Sequence, residues 1–191
     1  MQGIDTSARA TKYPKVKWSA DEAMNSKLED SLDTIFDKKN CLPDTAETQR
    51  GIGDSKVLDA LKNDIISFSS YPWTEAEPGH IYIGTDTPSS LPTGYFGVRI
   101  IHEATHSIDL STDNVENEAL AYYNGDTFER KLSATNPELF VDLNGATWED
   151  ALYDDYIASY NNNPSNPAQV YSDLKTAVTN DEALTDQTPL N

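Results

Sequence analysis

The sequence predicts an α+β domain, mainly helical, with a small sheet ahead of one central helix. Three observations carry this. Apolar residues recur at helical spacing along most of the chain, and two short β-branched runs, "DIISFSSY" and "HIYIG", sit between Pro and Gly punctuation. No internal repeat or linker of domain scale interrupts the 191 residues, which with 37% hydrophobic content suffice to bury one core.

Taken in order, residues 1–18 read as an N-terminal arm, with "YPKVKW" as a short strand. Ser19 and Glu22 fit a capping box, and Met24, Leu28, Leu32, Ile35 and Phe36 form one apolar stripe on the helix that follows. That helix ends by "DKKN", and "CLPDTAETQRGIG" reads as a loop. Asp54 is positioned to cap a short helix, "SKVLDALKN". After the two strands, "TDTPSSLPTG" is a turn-rich connection. A helix runs from Tyr95 to about Leu110, and another follows with Asp113 or Asn114 as its cap. Two further helices, in "TWEDALYDDYIASY" and "PAQVYSDLKTAV", flank "NNNPSNP". Residues 19–178 are expected to form a single domain, and residues 179–191 a polar, frayed tail.

The formal net charge of −18 repels nucleic-acid backbones and anionic membranes. It suits basic substrates, and it favours a dissolved monomer. No apolar run approaches membrane-span length, and "MQGIDTSARATKYPK" lacks the apolar stretch of a secretory signal. Cys41 is the single cysteine, which excludes an internal disulfide and a cysteine-based zinc site, and is expected to be buried without chemistry.

The chemistry lies in "RIIHEATHSIDL", residues 99–110. His102 and His106 are four apart, so a helix puts both rings on one face, where they can share an ion. Glu103 falls about 100° round the helix from His102, beside the metal position. Two neutral imidazoles and an adjacent carboxylate that accepts a proton are what hydrolytic zinc sites of the H-E-x-x-H kind need. Ile100, Ile101, Ala104, Thr105, Ser107 and Ile108 are uncharged, as befits a helix packed into a core.

A catalytic zinc takes a third protein ligand. Asp109 shares the histidines' face, but lies about 10 Å along the axis from His102 at ~1.5 Å per residue, so it reads as a supporting partner or a cap. A histidine six residues past His106 is excluded, since Thr112 stands there and Asp109 occupies the glycine position of that pattern. The next helix, "NVENEALAYY", offers Glu116 and Glu118, which project in different directions.

His102, Glu103 and His106, followed downstream by Asn117, Glu118 and Ala121, resemble the gluzincin branch of the zincin metallopeptidases. The resemblance spans roughly residues 95–125. It implies Glu118 as third zinc ligand, with Glu116 as the alternative, and a Zn2+ cofactor. The gap between the two helices is shorter than in thermolysin-like members, and Tyr122 stands where a supporting aspartate is usual; Asp109 is the substitute considered for that contact. By the same resemblance "HIYIG" is the candidate edge strand for an extended substrate. Donors for a developing oxyanion are sought among Tyr122, Tyr123, Tyr153, Tyr156 and His80.

The expected function is zinc-dependent hydrolysis of peptide bonds in a protein or peptide, with Glu103 as general base. The size and short gap are similar to compact zincins among bacterial secreted toxins and effectors, which implies an exported protein. The competing readings are a zinc amidase acting on cell-wall peptides and a non-catalytic acidic interaction protein.

Overall fold

The computed structural model describes residues 6–48, 50–72, 74–85, 90–109, 114–141 and 151–185. The expected cap Asp113, the helix end at Leu110, part of "TDTPSSLPTG", the start of "TWEDALYDDYIASY" and residues 186–191 of the tail lie outside them. The fold is α+β and mainly helical, with one four-stranded sheet. Its elements are α1 (Thr6–Lys12), β1 (Val16–Lys17), α2 (Glu22–Asp37), α3 (Asp54–Asn63), β2 (Ile65–Phe68), β3 (Glu75–Glu77), β4 (His80–Ile83), α4 (Thr93–Ile108), α5 (Asn114–Ser133), α6 (Ala151–Asn162) and α7 (Pro167–Thr185). Short 3-10 turns occupy Lys39–Cys41, Thr45–Glu47 and Pro137–Phe140. Among the described residues, no helix is long and apolar enough to cross a membrane.

The segment read as an arm is woven into the domain from Thr6 onward. Val16 pairs in parallel with Ile66, so β1 extends the sheet, and Tyr13 and Val16 are buried. Arg9 fastens α1 to α2: it donates to Glu29 at 2.6 Å and to Glu22 at 2.9 Å, and lies over the Trp18 ring. The two paired residues, Val16 and Lys17, lie within "YPKVKW", where the sequence places a short strand.

The cap of α2 is Asp21, two residues after the expected Ser19. Its carboxylate accepts from the N–H groups of Ala23 (2.9 Å) and Met24 (3.2 Å), while Ser19 Oγ accepts from Asp21 N–H instead. The predicted stripe holds: Leu28, Leu32 and Ile35 are fully buried, with Met24 and Phe36 at the margin. Asp54 is the first residue of α3 and not its cap. Its carboxylate turns back to accept from Thr45 Oγ1 at 2.9 Å, and so ties the loop to the helix. Gly53 is required before it, because a Cβ there would meet the Pro43 carbonyl at 2.7 Å.

The strand order is β1-β2-β4-β3, with β3 the antiparallel member. The expectation that "HIYIG" is the edge strand is therefore corrected. Those residues form β4, paired on both sides, and the edge beside it belongs to β3, whose three residues "EAE" carry too little apolar character to read as a strand. The turn joining them, Glu77-Pro78-Gly79-His80, has Gly79 at φ 78°, the left-handed value a type II turn needs after proline. Alternation along β2 and β4 sends Ile66, Ile81 and Ile83 inward against α4, and Ser67, His80 and Tyr82 to the opposite face.

Among the described residues two hydrophobic cores result, one on each side of the α4–α5 pair. The first gathers α2, α3, the inner face of the sheet and α4 around Leu28, Ile35, Ile81 and Ile100. The second packs α5, α6 and α7 around Leu120, Tyr156 and Leu174, and takes Ile52 from the loop before α3. Ile108 packs against both. Gly125 lets the helices of the pair approach, since a Cβ there would stand 3.2 Å from Val98. Helix α7 begins at Pro167 behind an Asn166 cap and continues to Thr185, through residues expected to fray.

Candidate metal centre

Helix α4 carries His102, Glu103 and His106 in its C-terminal half, held by Ile100, Ile101 and Ala104, each fully buried. Helix α5 returns alongside it and brings Glu118 to the two imidazoles. Glu118 Oε2 lies 3.3 Å from His102 Nε2, Glu118 Oε1 lies 3.3 Å from His106 Nε2, and the two Nε2 atoms are 3.0 Å apart. Two ligand atoms about 2.05 Å from one ion at tetrahedral angles stand about 3.3 Å apart. The imidazole nitrogens and the Glu118 carboxylate, one ligand atom from each residue, lie within 4.8 Å of one another and form a cluster that could hold a metal ion. All three are partly exposed, Glu118 by 38%, so the cluster opens to solvent.

The two glutamates point in different directions. Glu116, two residues earlier on α5, turns to α7, where Lys175 donates to it at 2.7 Å. Glu118 faces α4.

Support for His106 comes from Asn117, whose Oδ1 accepts a hydrogen bond from Nδ1–H of the ring. That contact fixes the tautomer in which Nε2 keeps its lone pair for a metal. Asn117 Nδ2 in turn donates to the backbone carbonyl of Asp109 at 3.1 Å. Asp109 therefore meets the site through its main chain, while its buried carboxylate accepts from Arg50 at 2.9 Å. Tyr122, at the position where the resemblance would put an aspartate, packs its ring edge-on to His102 with centroids 4.7 Å apart.

The electrostatics follow from burial and crowding. Burial pushes the Glu103 carboxyl up to about 7; His106 and Arg99 oppose the rise, and Glu118 and Glu75 add to it. For Glu118, burial works against ionisation, but hydrogen bonds and charge from His102 and His106 outweigh it and hold the carboxyl well below its ordinary value. For His106, burial works against protonation, and its contact with Glu118 outweighs that and raises it.

Of the other sequence candidates, Tyr123 is buried in the second core between Tyr156 and Tyr171. Tyr156 bonds Thr127 there and Tyr153 stacks on it. His80 lies on the face of the sheet away from α4, held by Ser67 at 2.8 Å and stacked on Tyr82. None of these four reaches the imidazoles; Tyr122 does. Arg50 went unnoticed in the sequence because it sits in an aperiodic loop 59 positions from its partner, with no local signal to join them.

Fold and site together define an α+β domain whose central helix pair carries a His/His/Glu cluster with a partly buried glutamate beside it. Comparisons with family models, curated proteins and solved structures return no match.

Proposed function

We propose that this chain is a zinc-dependent peptidase of the gluzincin-like kind. One observation carries the reading: two imidazole nitrogens 3.0 Å apart on one helix each lie 3.3 Å from an oxygen of the Glu118 carboxylate on the next, with Glu103 next in sequence to one of the histidines. Zn2+ held by His102, His106 and Glu118 would supply a Lewis acid for a scissile carbonyl and for water. Glu103 accepts the proton of the attacking water and returns it to the departing amine. Asn117 keeps His106 in the ligating tautomer, and Tyr122 is the neighbouring phenol that could donate to developing negative charge.

An extended protein or peptide substrate suits the free edge of β3, which packs against α4. Glu75 and Glu77 on that edge, in a chain of net charge −18, favour substrates with basic side chains and disfavour nucleic acid. The protein is taken to act as a monomer.

The test pairs metal analysis with cleavage assays. Purified protein should hold one zinc per chain, lose it in His102→Ala, and cut a basic peptide pool in the wild type but not in Glu103→Gln. Cleavage of muropeptides with no action on the pool would shift the reading to a cell-wall amidase. Failure to bind zinc at all would favour a non-catalytic role.

A further inference from the structure

We infer that Arg50 is a positioning residue for the metal centre, acting on His106 through Asp109 and Asn117; this rests on the reading of His102, His106 and Glu118 as metal ligands. The connection is continuous. Arg50 Nη1 donates to Asp109 Oδ2 at 2.9 Å, and Asp109 is where α4 stops, its own N–H donating to the Thr105 carbonyl at 2.9 Å. The Asp109 carbonyl accepts from Asn117 Nδ2, and Asn117 Oδ1 accepts from His106 Nδ1. A shift of the Asp109 main chain therefore moves the group that orients a metal ligand.

Burial explains why Arg50 matters to that main chain. The Asp109 side chain is 2% exposed and Arg50 sets a cation against its carboxylate there, so removing the guanidinium weakens the hold on a buried charge at the helix end. The loop bearing Arg50 is fastened independently. Ile52 is buried in the second core, its carbonyl accepts from Asn124 Nδ2 at 3.2 Å, and the same amide donates to Thr105 Oγ1 at 3.0 Å. Losing the guanidinium thus leaves the loop anchored and acts at the end of α4. Groups that orient metal-ligating histidines typically change metal affinity about 10–100-fold when removed, and Arg50, one step further out, belongs at about the lower bound.

The experiment is equilibrium competition for Zn2+ against a chromophoric chelator, with full-length wild type, Arg50→Met, Arg50→Lys, Asp109→Asn and the Arg50→Met/Asp109→Asn double variant, beside melting curves of each metal-free protein. Arg50→Met should bind zinc about tenfold more weakly, and Arg50→Lys should recover most of that loss. The double variant should lose no more than the worse single, because the two residues act through one contact. Wild-type affinity in Arg50→Met with a lowered metal-free melting temperature would make the pair purely structural and overturn the inference while leaving the metal centre standing. Additive losses would also overturn it. A wild type that binds no zinc removes this inference and the metal centre together. If Arg50→Met does not fold, Asp109→Asn and Arg50→Lys decide: wild-type affinity in the first overturns the inference, and a weakened first with a near-normal second supports it.

Discussion

At the residue scale, Glu118 and Glu116 make a matched pair, with the same side chain, the same helix and opposite directions. Glu118→Ala should abolish stoichiometric zinc, whereas Glu116→Ala should keep it and cost within about 1 kcal/mol, since it loses only a half-exposed contact with Lys175. Elemental analysis and melting curves of the two variants check this. Glu103→Gln should retain zinc and lose roughly two to four orders of magnitude in peptide cleavage. The same residue governs how the metal-free protein responds to pH. Its carboxyl ionises near 7 in the folded chain against an ordinary 4.5, so between those values the folded state holds a proton the unfolded state has released. Stability from this group is therefore present at pH 4.5 and lost as pH rises through about 7. His106, also raised, loses stability in the same direction above its ordinary range, while the lowered Glu118 acts in the opposite sense only as pH falls below its ordinary value. In chelator, the wild type should lose more melting temperature from pH 5 to pH 8 than Glu103→Gln does. Taking the difference cancels the general repulsion within an acidic chain.

At the element scale, sequence reading succeeds where a local pattern is complete. The i, i+4 spacing of His102 and His106 put both rings on one face, and the stripe from Leu28 to Ile35 marked the buried side of α2. It fails where the deciding contact is remote or short. Asp21 and Ser19 are both good caps, and only the backbone path selects Asp21, so Asp21→Ala should cost about 1 kcal/mol and Ser19→Ala less, in denaturant melts. Strand β3 escaped notice because three residues with two glutamates have no strand signature, yet antiparallel pairing to β4 makes them the sheet edge. His80 looked available as a lone histidine near the motif; the two-residue alternation of β4 turns it away from α4. If β3 receives the substrate, Glu75→Lys should lower kcat/KM for peptides rich in lysine and spare neutral ones.

At the scale of the whole molecule, the His102/His106/Glu118 cluster lies where α4 and α5 meet, and that pair is shared by the two cores. Zinc at 100 times its dissociation constant should stabilise the fold by about 2.7 kcal/mol, seen as a raised melting temperature in wild type and absent in His106→Ala. The first core also encloses Cys41, 6% exposed, with a thiol that burial pushes above its ordinary value against the pull of Lys131 and Lys38. Being the chain's single sulfhydryl, it is an internal clock. A maleimide or disulfide reagent can modify it only during excursions that lift the residues above it, so the rate of modification counts those openings one molecule at a time. The chain thus carries its own label for asking whether loading the metal cluster quiets motion in a core that the cluster itself does not enter.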